Sequence, residues 1–298
     1  MPQALPDDFL RPYQGYAGIP FLNFDGNSSY HSLQVSAQRR FTRGLQIGAV
    51  YTWSKAMAYA DGDQGGVSTF VSRREFDYGE ASYDRTHVFA LNYLWNVPGS
   101  GIRNRFLKGI AGGWQISGIT RFQSGAPLSL SASLKTGCSG GPVPCVSTNT
   151  NNYGTDITGG GDGWRAVMSA NAVLPKDQRT ITQWFNASVF SPPALAQQVT
   201  DMAGVLRVLA TGNTPSTFAR GPGINNTDLA LFKNFKIREK LNTQFRAEAY
   251  NVFNHTQFSG VGTTAQWDQS GAQVNTSFGK ITSARDPRIM QLAVRLVF

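Results

Sequence analysis

His31, His87 and His255 are the only imidazoles in the chain. None has the spacing of a nucleophile and base, a zinc motif or a phosphate loop around it, so each is expected at a strand end near an interface. The stretch "DGDQGG" opens like a calcium loop, with Asp61, Asp63 and Gly66 in place. It lacks a third oxygen ligand, and Ser72 stands where the closing glutamate belongs, so no calcium site is expected. "REFDYGEASYDR" sets Arg73, Arg74 and Arg85 among Glu75, Asp77, Glu80 and Asp84. Such a mixture makes loop ion pairs more readily than a catalytic pair of carboxylates. Cys138 and Cys145, the only cysteines, lie in the Gly/Pro stretch "GCSGGPVPC". They read as a local disulfide in an oxidising compartment, with two free thiols as the alternative, and two thiols alone are too few for a metal centre. The inventory points to no enzyme and to no cofactor.

Whatever holds these residues is built from strands. Charged residues are 15% of the chain, below the roughly 25% of ordinary soluble proteins, whereas glycine (32) and aromatics (12%) are plentiful. That mixture favours strands and turns over helices. No apolar run approaches the roughly 18 residues of a transmembrane helix, which excludes a helical membrane protein but not a β-barrel, where only alternate residues face lipid. The first residues, "MPQALPDDFLRPYQGY", carry no basic and apolar signal pattern.

Alternation of apolar and polar residues marks seven strands, at 29–41, 45–56, 85–97, 114–125, 225–235, 241–253 and 288–298. The odd positions of 33–53 and 87–97 and the even positions of 288–298 are expected to face lipid, with Tyr51, Trp53, Tyr93 and Trp95 as an aromatic belt. Arg121, Arg246, Glu248 and Arg295 then fall on the polar face as candidates for the lining of a lumen.

The connections at 42–44, 98–113 and 236–240 are the shorter ones; those at 57–84, 126–224 and 254–287 are long. Outer-membrane barrels have short periplasmic turns and long extracellular loops. This places the C-terminus in the periplasm, 126–224 outside as a long extracellular loop, and 1–28 outside as a lead-in. Within the long loop Tyr153, Trp164, Trp184 and Phe185 are candidate apolar anchors for a ligand. Basic clusters at 39–43, 103–108 and 233–240 account for the whole formal net charge of +9. All three fall on the periplasmic side, where they could meet anionic headgroups or simply be solvated turns kept soluble by charge. They interrupt apolar strands at turns and form no stripe with stacking aromatics, so no nucleic-acid partner is expected.

The segments "NSSYHSLQVSAQRRFTRGLQIGAVYTWSKA", "YGEASYDRTHVFALNYLWNVP", "GGWQISGITRFQSGAP", "RGPGINNTDLALFKNFKI" and "LNTQFRAEAYNVFNHTQF", closed by Phe298, resemble the C-terminal barrel strands of TonB-dependent outer-membrane receptors. The likeness is to the Oar-like group, whose members carry a carboxypeptidase-regulatory-like domain. It implies an all-β, antiparallel transmembrane β-barrel, of which this chain supplies about seven or eight strands, in the bacterial outer membrane. It also implies a plug domain, which the sequence does not contain, missing N-terminal strands, and energised uptake through the TonB complex by way of that plug. The terminal strand, with Val294, Leu296 and Phe298, would be the assembly signal read by the barrel assembly machinery. Two other readings remain open, a passive pore-forming barrel and a secreted β-rich adhesion module whose apolar faces meet in a sandwich.

Overall fold

A computed structural model describes residues 26–41, 44–59, 77–98, 109–134, 165–193, 198–200, 206–208, 212–238, 241–268 and 271–297, together with Tyr13. Seven long strands form one antiparallel meander: β1 (Ser28–Arg40), β2 (Leu45–Ala58), β3 (His87–Asn96), β4 (Trp114–Gln123), β5 (Ile224–Arg238), β6 (Leu241–Tyr250) and β7 (Ile289–Val297). Each pairs with the next in sequence, and the two-residue strand Gly79–Glu80 adds to the end of β2.

The register explains the alternation. Leu33 faces Trp53, Tyr51 faces Phe89, Phe89 faces Phe122, Ile116 faces Leu231, Leu231 faces Ala247 and Ala247 faces Leu292. Directly opposed residues share a side of an antiparallel sheet, so one continuous apolar face crosses all seven strands. It stays exposed: Leu33 is 57%, Leu292 67% and Val294 65% accessible. A soluble sandwich would bury that face under a second sheet, and none covers it among the described residues. A bare apolar surface of this extent belongs against lipid.

The expected strand over 241–253 ends earlier, at Tyr250. Asn251 and Asn254 take φ of 51° and 50° and turn the chain; asparagine tolerates this left-handed geometry better than most residues. The 126–224 stretch, read as an open loop, is folded in part. Pro127–Leu128 pairs with Ala219–Arg220, Val167–Met168 with Phe190–Ser191, and Ser131–Leu134 runs parallel to Thr264–Trp267 from the next long connection. Phe185, Phe190, Phe218, Phe278 and Trp267 form the buried centre of this cap. Its phenylalanine rings meet edge to face, with Phe185 and Phe218 centroids 4.9 Å apart at 79°. Edge-to-face pairs add about 0.5 to 1.5 kcal/mol each beyond their area.

Candidate functional site

Two polar regions stand out, one along the sheet and one where sheet meets cap. On the face opposite the apolar one, Arg121 lies opposite Ala90 and Asn226, Arg246 opposite Phe232 and Ala293, Glu248 opposite Ala230 and Gln291, and Arg295 opposite Gln244. The four candidate lumen residues thus share one side. Arg246 Nε lies 3.4 Å from Glu248 Oε1, and its guanidinium sits 4.8 Å above the Phe232 ring. The Tyr250 hydroxyl donates to Glu248 at 3.4 Å. A concavity of about 370 Å³ on this face is lined by Gln38, Gln46, Asn92, Ser117, Asp228 and Glu248 among others. On β1 to β3 this side is mostly amides, hydroxyls and small apolar groups; charge gathers on β4 to β7.

At the sheet-cap junction Arg220 Nη2 donates to Glu80 Oε2 at 2.7 Å and to Asp84 Oδ2 at 2.6 Å. Glu80 also takes the Lys55 ammonium. Asp84 has a side chain with no solvent exposure, and its Oδ1 accepts the Ala56 backbone N–H at 2.7 Å. Arg220 is thereby fixed to the end of β2, while its own carbonyl accepts Trp184 Nε1 from the cap at 2.9 Å. Beside this network Arg165 and Asp77 stand 3.7 Å apart at the edge of a cleft of about 230 Å³. Burial lowers the Arg165 pKa from its ordinary value, and the charge of Asp77 works against that shift; a guanidinium stays charged throughout.

An exposed apolar face backed by a polar one, with folded connections at one end and turns at the other, is the anatomy of a membrane barrel wall. In agreement, the family described as "Outer membrane beta barrel domain" matches residues 2–291. The chain belongs to this outer membrane beta barrel family. A search of curated proteins found no match. Its place is therefore the bacterial outer membrane, and its apolar face meets lipid. The sheet is a partial barrel, not closed among the described residues.

Other sequence expectations meet the barrel unevenly. Val294 and Leu296 lie on the apolar face of β7, paired with Phe245 and Thr243; Phe298 lies outside the described residues, as do Cys138, Cys145, "DGDQGG", Tyr153 and Trp164. Phe185, expected as a ligand anchor, is 1% exposed in the cap core, so it packs instead of binding. Trp184 is partly buried against that core. His87 starts β3, its Nδ1 2.8 Å from the Tyr51 hydroxyl. Of the residues expected to pair within 73–85, Arg73, Arg74 and Glu75 lie outside the described residues, while Asp77, Glu80 and Asp84 make ion pairs with the distant Arg165, Lys55 and Arg220. No local signal identifies those partners, since Arg220 lies 136 residues from Asp84.

Lys233 also departs from its expected role in a headgroup-facing basic cluster. It is 3% exposed. Its ammonium donates to the carbonyls of Gly109 (2.8 Å), Ile110 (2.7 Å) and Gly112, and lies 4.8 Å from the Trp114 ring centre. The cation caps the helical turn at 109–111 that leads into β4. Lys233→Met keeps the stem but removes every donor, so it is expected to cost about 2 kcal/mol in urea unfolding from liposomes. An unchanged midpoint would show that water replaces the ammonium at no loss.

Proposed function

We propose that this barrel is the C-terminal part of a TonB-dependent outer-membrane receptor that takes up a large or scarce ligand. The supporting observation is the direction of its edges. Six successive antiparallel pairings make β1 and β7 run the same way, so joining them, or joining two copies, would create a parallel seam. Single-chain bacterial barrels are antiparallel throughout, and open edges cannot stay unpaired in lipid. An odd number of further strands satisfies both edges. In this reading the cap and the 1–28 lead-in face outside, a plug and the TonB complex supply energised transport, and the barrel assembly machinery reads the terminal strand. The role is binding and transport, without catalysis.

Cysteines scanned along β1 and β7 test the edges in cells. The expected result is no disulfide between β1 and β7, and cross-links from both to other strands of the parent barrel. Direct β1 to β7 cross-links, with steady ion conductance by the purified chain in planar bilayers, would establish a small passive pore instead.

A further inference from the structure

The cleft at the junction has a composition that the latch between sheet and cap does not require. Its walls come from five separate segments: Tyr59 at the end of β2, Asp77, Ser129 and Leu130, Arg165 and Ala166, and Thr214 to Ser216. Close backbone approach holds them together. A side chain added at Gly79 would begin 1.7 Å from Ser216 Oγ, and one at Gly212 would begin 2.1 Å from the Ala166 carbonyl oxygen. Gly212 is therefore required by packing against backbone, whereas at Gly79 the Ser216 hydroxyl would have to rotate away. Arg165 Nη1 donates to the Thr214 carbonyl at 3.1 Å, and the Thr214 hydroxyl donates to the Ala166 carbonyl at 2.6 Å.

We propose that this cleft binds one neutral, polyhydroxylated ligand unit of monosaccharide size. Size is the first argument. At about 230 Å³ the cleft is smaller than the roughly 300 Å³ at which sites for drug-sized ligands begin. Charge is the second. Arg165 and Asp77 balance one another at 3.7 Å, so an anion would gain the guanidinium only against the carboxylate, and a cation the reverse. The third is the distribution of polarity. Leu130, Ala166 and Pro215 supply apolar atoms beside the polar groups of Asp77, Arg165, Ser129 and Ser216, with Tyr59 next to them. A pyranose presents an apolar C–H face and a polar edge of hydroxyls, each both donor and acceptor. Neighbouring hydroxyls match a carboxylate that only accepts next to a guanidinium that only donates. The Tyr59 ring is held against Tyr78, with centroids 5.1 Å apart, which leaves an amphipathic edge of fixed orientation.

This assignment names a ligand class for the receptor reading, yet binding itself needs no energy supply and no plug. The test uses the full chain in outer-membrane vesicles, with saturation-transfer NMR on D-glucose, D-galactose and N-acetylglucosamine, and chain-free vesicles as the control. At least one sugar is expected to bind through the chain. Asp77→Asn should weaken that binding by about tenfold or more, because the one carboxylate among the described lining residues is lost. Ser129→Phe, at an exposed lining position, should abolish it by filling the cleft without disturbing the fold. Absence of any chain-dependent sugar signal, or wild-type binding by both variants, would overturn the proposal. So would glycine or alanine binding in place of the sugars, since that would assign the ion pair to a zwitterion. Sugar binding by the chain, with no energised uptake of that sugar by cells that make the intact parent receptor, would leave the cleft standing and remove the transporter reading.

Discussion

Leu91→Arg is expected to lower the stability of the barrel in liposomes by roughly 2 to 4 kcal/mol, the cost of an arginine on the lipid side near the bilayer midplane. Its depth follows from its neighbours. On the apolar face of β3 the order is His87, Phe89, Leu91, Tyr93, Trp95, and across the sheet His87 faces Trp53 while Trp95 faces Leu45. The eight steps from His87 to Trp95 span about 26 Å along a strand, or about 20 Å after the usual tilt of roughly 40°. Aromatic side chains thus stand at both ends of the hydrocarbon band, and Leu91 is midway between them, paired with Ala49 and Thr120. Asn92→Arg, one residue on, places the same charge on the wet polar face beside Gly48 and Ile119. It should cost less than about 1 kcal/mol. Urea titration of both variants, read by tryptophan fluorescence, separates them; equal losses would mean that the two faces have been assigned wrongly.

The strands were legible because lipid on one side and water on the other impose a period of two over the full height of the wall. Leu33 to Ala37, Phe89 to Trp95 and Met290 to Leu296 carry that period without interruption, and the strand limits follow it to within a few residues. Arg121, Arg246, Glu248 and Arg295 could be placed on a common side for the same reason. The cap obeys no such rule. Phe185, Phe190, Phe218 and Phe278 meet through turns and two-residue ladders, and a core assembled from isolated aromatics leaves no periodic trace. Lys233 was misread because composition near a turn suggests a solvated cluster, whereas its ammonium finds carbonyls more than a hundred residues earlier in the chain. The cleft was illegible for a related reason, since its five segments carry one to three lining residues each and none forms a motif.

Asp84→Ala should release the cap from the wall at a cost of about 3 kcal/mol, the lower end of the range for breaking a buried ion pair. The carboxylate is fully enclosed and serves three groups, the Arg220 guanidinium, the Ala56 N–H and the Thr86 hydroxyl at 3.4 Å. Its loss strands the Ala56 donor in a site where Ala56 is 3% exposed. Arg220 is not left without a partner, because Glu80 still accepts from it at 2.7 Å and the Gly125 carbonyl at 3.2 Å; for that reason the upper end of the range is not reached. Asp84→Asn should fare no better, since an amide that accepts from the Ala56 N–H turns its own N–H groups toward the guanidinium. Lys55→Met is the contrast, an ion pair whose lysine side chain is 42% exposed, and should cost under about 1 kcal/mol. Limited proteolysis of barrel in vesicles distinguishes the outcomes by location. With Asp84→Ala, cleavage should accelerate within 124–223 while β1 to β7 stay protected, because the sheet keeps its ladders and its lipid contact. If the cap stays as resistant as in the parent chain, the aromatic core alone holds it and Arg220 is dispensable. If wall and cap are cut together, the junction is part of the barrel's own folding unit and not a latch between two parts.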